Sequence, residues 1–320
     1  MRRAAMAGLA VFCASAAFAQ VPPPDIAPRT TDPALRAREE AVRAAFATMP
    51  DTPGTGPYAA IKESDPGLPH HTVYRPADLD ALGARKLGII VWGNGGCRDD
   101  GAAARQHLAE IASHGYVAIA PGEIKSGPGA PPQTGQAEGK TTTADVLAGL
   151  DWALAENERR DSPYHGRIDP RLTGVAGTSC GGLQAIQAAA DPRIHAVIVH
   201  NSGIFSDDRN PETGAPVDKS LLTRFHTPVL YILGGKSDVA YPNGADDFRR
   251  LAHVPAMLAS LDVGHGGTLR EKNGGPVAQV AVDWFEWQLR GDQTAAQTFV
   301  GADCGLCKDS KWTIERKKIG

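Results

Sequence analysis

Past its first twenty residues the chain has no apolar run long enough to cross a bilayer, no basic stripe and no internal repeat. The first absence excludes a membrane-spanning helix there, which would take about 20 consecutive apolar residues. The second excludes nucleic acid as a partner, because phosphate binding leaves a footprint of clustered Lys and Arg, whereas here 33 basic and 36 acidic residues mix to a net charge of −3. The third excludes a repeat array. Cysteine is scarce too, five in 320 residues. The one close pair, Cys304 and Cys307 in CGLC, comes without the further ligands that zinc requires.

The leader MRRAAMAGLAVFCASAAFAQ has two arginines, a short apolar stretch and Ala17-Phe18-Ala19 as a small-x-small cleavage site before Gln20. That is the pattern of a secretory signal peptide over residues 1–19. A lipoprotein reading would acylate Cys13, but Phe12 before it is bulkier than such cleavage takes. The expectation is a secreted or periplasmic protein with no membrane anchor. Four cysteines survive processing, Cys97, Cys180, Cys304 and Cys307. An even count in an oxidising compartment favours two disulfides over free thiols.

About 300 residues remain, enough for one large domain. A proline-rich arm, VPPPDIAPRTTDP, precedes a helical stretch at about Ala34 to Thr48, so residues 20–54 read as arm and helix. Strands follow around Tyr58–Glu63 and His71–Arg75, on either side of the turn Asp65-Pro66-Gly67. LGIIVWGNGG is a continuous apolar run ending in glycines, as expected of a strand buried on both faces. A helix over roughly Ala102 to Ser113 stops at Gly115 and leads to the strand YVAIAP. Residues 126–140 read as a loop. Thr142 and Asp145 then open a helix whose Leu147, Leu150 and Leu154 share one face. After it come the strand LTGVAG, a glycine-rich turn, a helix through about Ala190, the strands HAVIVHN, PVLYILGG and AMLASLDV, and a helix carrying Val277, Val280, Ala281, Trp284 and Phe285. Strands alternating with helices imply a mostly parallel α/β sheet flanked by helices. In such a sheet ligands bind beyond the carboxyl ends of the strands. Four glycine-rich segments lie there: GNGGC, GTSCGG, GGKSD and GHGG.

Gly177-Thr178-Ser179-Cys180-Gly181 matches G-x-S-x-G between a strand and a helix, the context of a nucleophile elbow. The bland alternative is that Ser179 caps the following helix. A serine nucleophile needs a histidine to take its proton and an acid to hold that histidine. Asp238 follows PVLYIL directly and is the better acid, whereas Asp246 and Asp247 fall farther on in a helix; its own alternative is a loop carboxylate satisfied by local amides. His265, in LDVGHGGT, is the base; His200 competes and suits the pocket wall better, and His107 lies within a helix. The tetrahedral intermediate of acyl transfer needs backbone N–H donors. One is the Cys180 amide, just after the nucleophile, and the second is assigned to Asn94 in the loop after LGIIVW, where a glycine run is otherwise only a turn.

With these residues in place, the stretch from GIIVWGNGG through GTSCGG, GGKSD and GHGG resembles the α/β-hydrolase superfamily over nearly all of residues 55–292. ASHGY and the trailing AVDWFEWQLRGD make it similar to secreted cutinases and poly(ethylene terephthalate) hydrolases of the dienelactone-hydrolase-like branch. The resemblance implies an eight-stranded sheet, a Ser-Asp-His triad in that chain order and an oxyanion donor at Asn94. It also implies that the strands before GNGGC and GTSCGG are neighbours, so that Cys97 would bridge to Cys180. Cys304 and Cys307 would then form a local staple in the tail of residues 293–320; a redox CxxC is the rival reading of that pair. The chain departs from those polyester hydrolases in carrying cysteine after the nucleophile and no aromatic residue at position 94. Ester hydrolysis is therefore implied and polyester activity is not.

The segment between HAVIVHN and PVLYIL is too short for a folded cap domain, which implies an open cleft suited to polymeric or bulky esters. Trp92, Asn94, His200, Asn201, Ile204 and Tyr241 are its candidate walls by rim position. The expectation is a serine carboxylic-ester hydrolase that works through an acyl-serine and needs no metal or organic cofactor. A peptidase or amidase with the same triad, and a non-catalytic binding protein on the same scaffold, remain the alternatives.

Overall fold

The computed structural model describes residues 29–131, 139–207 and 210–319; the leader and the first part of the arm lie outside the described residues. In β3 (Leu87–Gly93), Leu87, Ile89 and Val91 join one apolar cluster while Ile90 and Trp92 join another, and the whole strand is buried. A strand covered on both faces has no solvent side, so its sequence shows no alternation. Burying each such side chain contributes about 1.5–3 kcal/mol. That places the strongest local stabilisation beneath the glycine-rich strand ends.

Around β3, in parallel, run β4 (Tyr116–Pro121), β5 (Ile168–Thr178), β6 (Ala196–His200), β7 (Val229–Leu233) and β8 (Ala256–Leu261). Parallel neighbours need crossovers. These are α2 (Arg105–Ser113), α3 (Thr143–Glu158), α4 (Cys180–Ala188) and α5 (Tyr241–Arg250), with α1 (Pro33–Thr48) leading into the domain and α6 (Gly275–Arg290) following β8. Helices α3, α4 and α5 cover one face of the sheet; α2 and α6 cover the other. The expected start of α3 is a capping box, with the Thr142 hydroxyl and the Asp145 carboxylate each serving the other's backbone amide. Helix α2 begins at Arg105 rather than Ala102, because Asp100 Oδ1 accepts from the amides of Ala102 and Lys125 and holds a turn there.

Among the described residues the sheet has nine strands, not the expected eight; with β1 (Ala60–Asp65), β2 (Leu68–Pro76) and β9 (Trp312–Lys317) added, the order is β1-β2-β4-β3-β5-β6-β7-β8-β9. β1 (Ala60–Asp65) and β2 (Leu68–Pro76) form an antiparallel edge. The extra strand is β9 (Trp312–Lys317), from the tail expected to lie beyond the domain, and it pairs antiparallel with β8. Its buried Trp312 joins the cluster of Trp284 and Phe299. In the sequence it is masked by charge, since Trp312 and Ile314 are the only apolar residues of WTIERK. A four-residue helix, Gly305–Lys308, precedes it and carries the Cys304–Cys307 disulfide at its start. Between β6 and β7 the described residues form only the 3-10 turn Lys219–Arg224. No helix among the described residues is long and apolar enough to cross a membrane.

Below the ends of β3 and β6, on the α2 side of the sheet, the rings of Trp92, His107 and His200 pack together with centroids 5.1–5.5 Å apart. Both imidazoles are fully buried, and none of their ring nitrogens has a hydrogen-bond partner among the described residues. Burial therefore disfavours the charged form. It depresses His107 to about 3, against a weaker upward pull from Glu110, and lowers His200 well below the ordinary value, with His107 adding to the effect. Below pH 6.5 the unfolded imidazole of His107 takes a proton that the folded one refuses until about pH 3. The unfolded state thus binds more protons in that window, and stability is lost as the pH drops, by up to about 1.4 kcal/mol per unit for this one group. Urea unfolding of His107→Leu between pH 6.5 and 3 should show a shallower loss than the parent. Equal slopes would contradict a neutral buried His107.

Candidate active site

The elbow follows from backbone crowding. A Cβ on Gly177 would collide with the carbonyl of Gly181, and one on Gly181 with the carbonyl of Gly93 and the amide nitrogen of Asn94. The strand–turn–helix and the loop after β3 therefore touch main chain to main chain, which only glycine permits. Ser179 sits at the top of this turn with φ 54° and ψ −122°, a conformation that costs on the order of 1–3 kcal/mol for a non-glycine residue. The surroundings hold it there. Its amide donates to His200 O at 3.0 Å, and its carbonyl accepts from the Gly182 amide at 2.9 Å and the Ser202 hydroxyl at 2.6 Å.

The Ser179 hydroxyl makes no capping bond to α4. It lies instead 3.0 Å from His265 Nε2. His265 Nδ1 is 2.6 Å from Asp238 Oδ1. Ser179, His265 and Asp238, far apart in the chain, thus form one continuous hydrogen-bonded row at the carboxyl ends of β5, β7 and β8. His265 is only partly accessible and the Asp238 carboxylate is fully buried. Burial by itself would raise the Asp238 carboxyl. Hydrogen bonds from His265, the Ala240 amide at 2.8 Å and Asn201 Nδ2 at 2.9 Å more than offset it and hold the group below its ordinary range. A carboxylate behind the imidazole favours the tautomer with its proton on Nδ1, which leaves Nε2 facing the serine as an acceptor.

The Cys180 amide opens α4, so its position leaves it without an intrahelical acceptor. Asn94 follows β3 directly, and its main chain abuts the first turn of α4. Its side chain is buried, with Nδ2 donating to Arg98 O at 2.9 Å and Pro121 O at 2.7 Å. The side chain anchors the loop and only the backbone is turned toward the elbow. Cys97 and Cys180 are disulfide-bonded with their Cα atoms 5.2 Å apart, closing a separation of 83 residues across the same seam.

Five of the six expected cleft walls are in the interior instead. Trp92, Asn94, His200 and Ile204 are completely buried and Asn201 is 2% exposed. Trp92 and His200 turn inward because residues on a strand point alternately to the two faces, and these face α2 rather than the rim. Asn201 has a different task from the expected one: at φ 44° it aims Nδ2 at Asp238 Oδ2 and at Gly264 O, 3.2 Å away, joining the acid loop to the base loop. Tyr241 is half-buried at the start of α5. The alternative acid Asp247 is a structural group. Burial raises it to about 6 despite Lys219 at 2.5 Å, and it accepts from the Ile204 amide at 2.8 Å. A cavity of about 580 Å³ between α6 and the tail, lined by His114, Asp283, Asp292 and Asp303 among others, contains none of Ser179, Asp238 or His265. Among the described residues no group of His, Cys, Asp and Glu side chains is arranged to hold a metal ion.

The residues missed in the sequence are Thr30 and Glu39. The Thr30 hydroxyl accepts from the His265 amide at 2.8 Å, and Glu39 Oε1 accepts from the Gly266 amide at 2.6 Å. More than 220 residues of chain separate each pair, so no local pattern announces them.

Cross-linking Cys97 to Cys180 removes loop-closure entropy from the unfolded chain, about 4 kcal/mol for a loop of this length. Cys97→Ser should lower the free energy of urea unfolding by that order while Cys304→Ser, which opens a three-residue separation, lowers it far less. Equal losses for the two variants would show that the seam does not carry the stabilisation. No protein-family model matches the chain, and no curated protein matches it either.

Proposed function

We propose that the protein is a serine carboxylic-ester hydrolase with an α/β-hydrolase fold, exported from the cytoplasm. The observation that carries this reading is the row Ser179 Oγ, His265 Nε2, His265 Nδ1, Asp238 Oδ1, with steps of 3.0 and 2.6 Å. The leader and the two cysteine pairs support export. The fold assignment is supported by a parallel sheet entered through an antiparallel pair, with the serine on a strained turn after its central strand β5.

In the proposed reaction Ser179 Oγ attacks the ester carbonyl as its proton passes to His265 Nε2. Asp238 stabilises the imidazolium, being held anionic by Asn201 and the Ala240 amide. Negative charge grows on the carbonyl oxygen and is met by the amides of Cys180 and Asn94, which the glycine contacts hold still before the charge appears. Collapse expels the alcohol, protonated by His265, and leaves an acyl-serine. Water then attacks the acyl carbonyl as it loses a proton to His265, and collapse of this second intermediate breaks the bond to Ser179 Oγ, which takes that proton back from His265 as the acid leaves. The short β6–β7 connection leaves the rim uncapped by any domain among the described residues, which supports bulky or polymeric esters as substrates.

An alkyl fluorophosphonate should label wild-type protein at Ser179 and fail to label Ser179→Ala, with peptide mass spectrometry locating the adduct. Hydrolysis of p-nitrophenyl acetate and butyrate should fall by about 10³-fold or more in Ser179→Ala with unchanged melting behaviour. Absence of an adduct on folded protein would return the chain to the status of a binding protein. Faster cleavage of the matching anilides than of the esters would make it an amidase.

A further inference from the structure

The loop that carries the base, Val263-Gly264-His265-Gly266-Gly267, contains three glycines, two of them at positive φ (Gly264 at 78° and Gly267 at 57°). Such a loop loses much backbone freedom when ordered and has little intrinsic stiffness. It must nevertheless present Nε2 to a serine 3.0 Å away. Its first end is tied to the acid loop, with the amides of Val263 and Gly264 donating to Gly234 O at 3.1 and 2.8 Å. The two amides that frame the imidazole go elsewhere. His265 N donates to Thr30 Oγ1, Gly266 N donates to Glu39 Oε1, and the Thr30 hydroxyl in turn donates a hydrogen bond to the same Glu39 oxygen at 2.7 Å. One carboxylate oxygen thus anchors both amides, one directly and one through a buried hydroxyl.

The approach is specific. A Cβ on Gly264 would run into both Glu39 and Thr30, so the glycine of the GHGG segment is what lets the carboxylate reach the loop. The neighbouring Arg38 donates to Val263 O at 3.4 Å and pairs with Glu271, fastening α1 on either side of the same loop. The strand-like residues just before α1 hold the acid loop as well: Val239 N donates to Arg29 O and Thr31 N to Ser237 O, both at 2.8 Å. Residues 29–39 therefore span the two loops that carry Asp238 and His265.

We propose that Glu39 is a positioning residue for His265, acting through Thr30 and the Gly266 amide to fix the loop that aims Nε2 at Ser179. This rests on the ester-hydrolase reading above. The bonds from Glu39 are charge-assisted, hence shorter and stronger than neutral ones, and they act on the backbone on both sides of the reacting side chain. Displacement of a catalytic group by about 1 Å is enough to lower turnover by about 100-fold.

The test measures kcat and KM for p-nitrophenyl butyrate, and phosphonate labelling of Ser179, on the mature chain and on Glu39→Ala, Glu39→Gln and Thr30→Val. In Glu39→Ala kcat should drop by about 10- to 100-fold with KM changed by no more than about twofold. Glu39→Gln, which keeps an acceptor oxygen, should recover most of the loss. Thr30→Val, which keeps the shape and removes the hydroxyl, should lose kcat without losing fold. Wild-type-like kcat in both Glu39→Ala and Thr30→Val overturns the proposal. So does an equal loss in Glu39→Gln and Glu39→Ala, because the acceptor oxygen would then be irrelevant. A wild-type protein that neither turns over ester nor takes the phosphonate on Ser179 sinks the hydrolase reading itself, and is distinguished from the other outcomes because it needs no variant.

Discussion

The whole rim depends on one steric constraint: the main chain of the elbow lies against the main chain of the loop after β3 with no side chain between them. Gly93, Gly177 and Gly181 each occupy space that a Cβ would take from the others. Once those backbones touch, the rest is forced. Ser179 must reverse direction within one residue, so it adopts a positive φ. Cys97 and Cys180 are brought within disulfide reach. The start of α4 and the residue after β3 are likewise held against each other at that turn. A larger residue at any of the three positions would spread the seam and move all of these at once.

Strain is concentrated along that seam. Cys97, Ser179 and Asn201 are non-glycine residues with φ between 44° and 54°, each just past the end of a central strand. Each costs on the order of 1–3 kcal/mol. The compensation is beneath them, where strands β3 to β8 are covered on both faces and few polar groups interrupt the packing. The disulfide stabilises the same place from above by restricting the unfolded chain. A rigid sheet with strained ends is what allows a serine hydroxyl, an imidazole and a carboxylate to be held in register.

Much of this was legible in the sequence because it is local. Continuous apolar runs marked the parallel strands, Thr142 and Asp145 marked the start of α3, and Gly-x-Ser-x-Gly marked the turn between β5 and α4. The reach of Asp238 and His265 to one another follows from their places after successive late strands. What escaped was whatever depends on which way a side chain turns or on partners distant in the chain. Trp92 and His200 sit at strand ends, as expected, yet the pleat sends them to the interior. Asn201 is one residue beyond His200 and serves the acid rather than a ligand, a difference set by a single backbone reversal. β9 was hidden because an edge strand paired on one side needs only two inward apolar residues, Trp312 and Ile314, and its charged remainder reads as tail.

The N-terminal segment shows why the base loop tolerates so many glycines. A loop of branched residues would be stiffer by itself, but its side chains would fill the space through which Thr30 and Glu39 reach the amides of His265 and Gly266. Glycine gives up intrinsic order and gains access for an external clamp. The ordering entropy is then offset by charge-assisted bonds from Glu39 and by the pairing of residues 29–31 with the acid loop. Because that clamp comes from the far end of the chain, the geometry of the base is coupled to the docking of α1. Local loosening of the N-terminal helix, the kind of opening that requires far less free energy than global unfolding, would release the imidazole while leaving the sheet, the elbow and the disulfide seam in place.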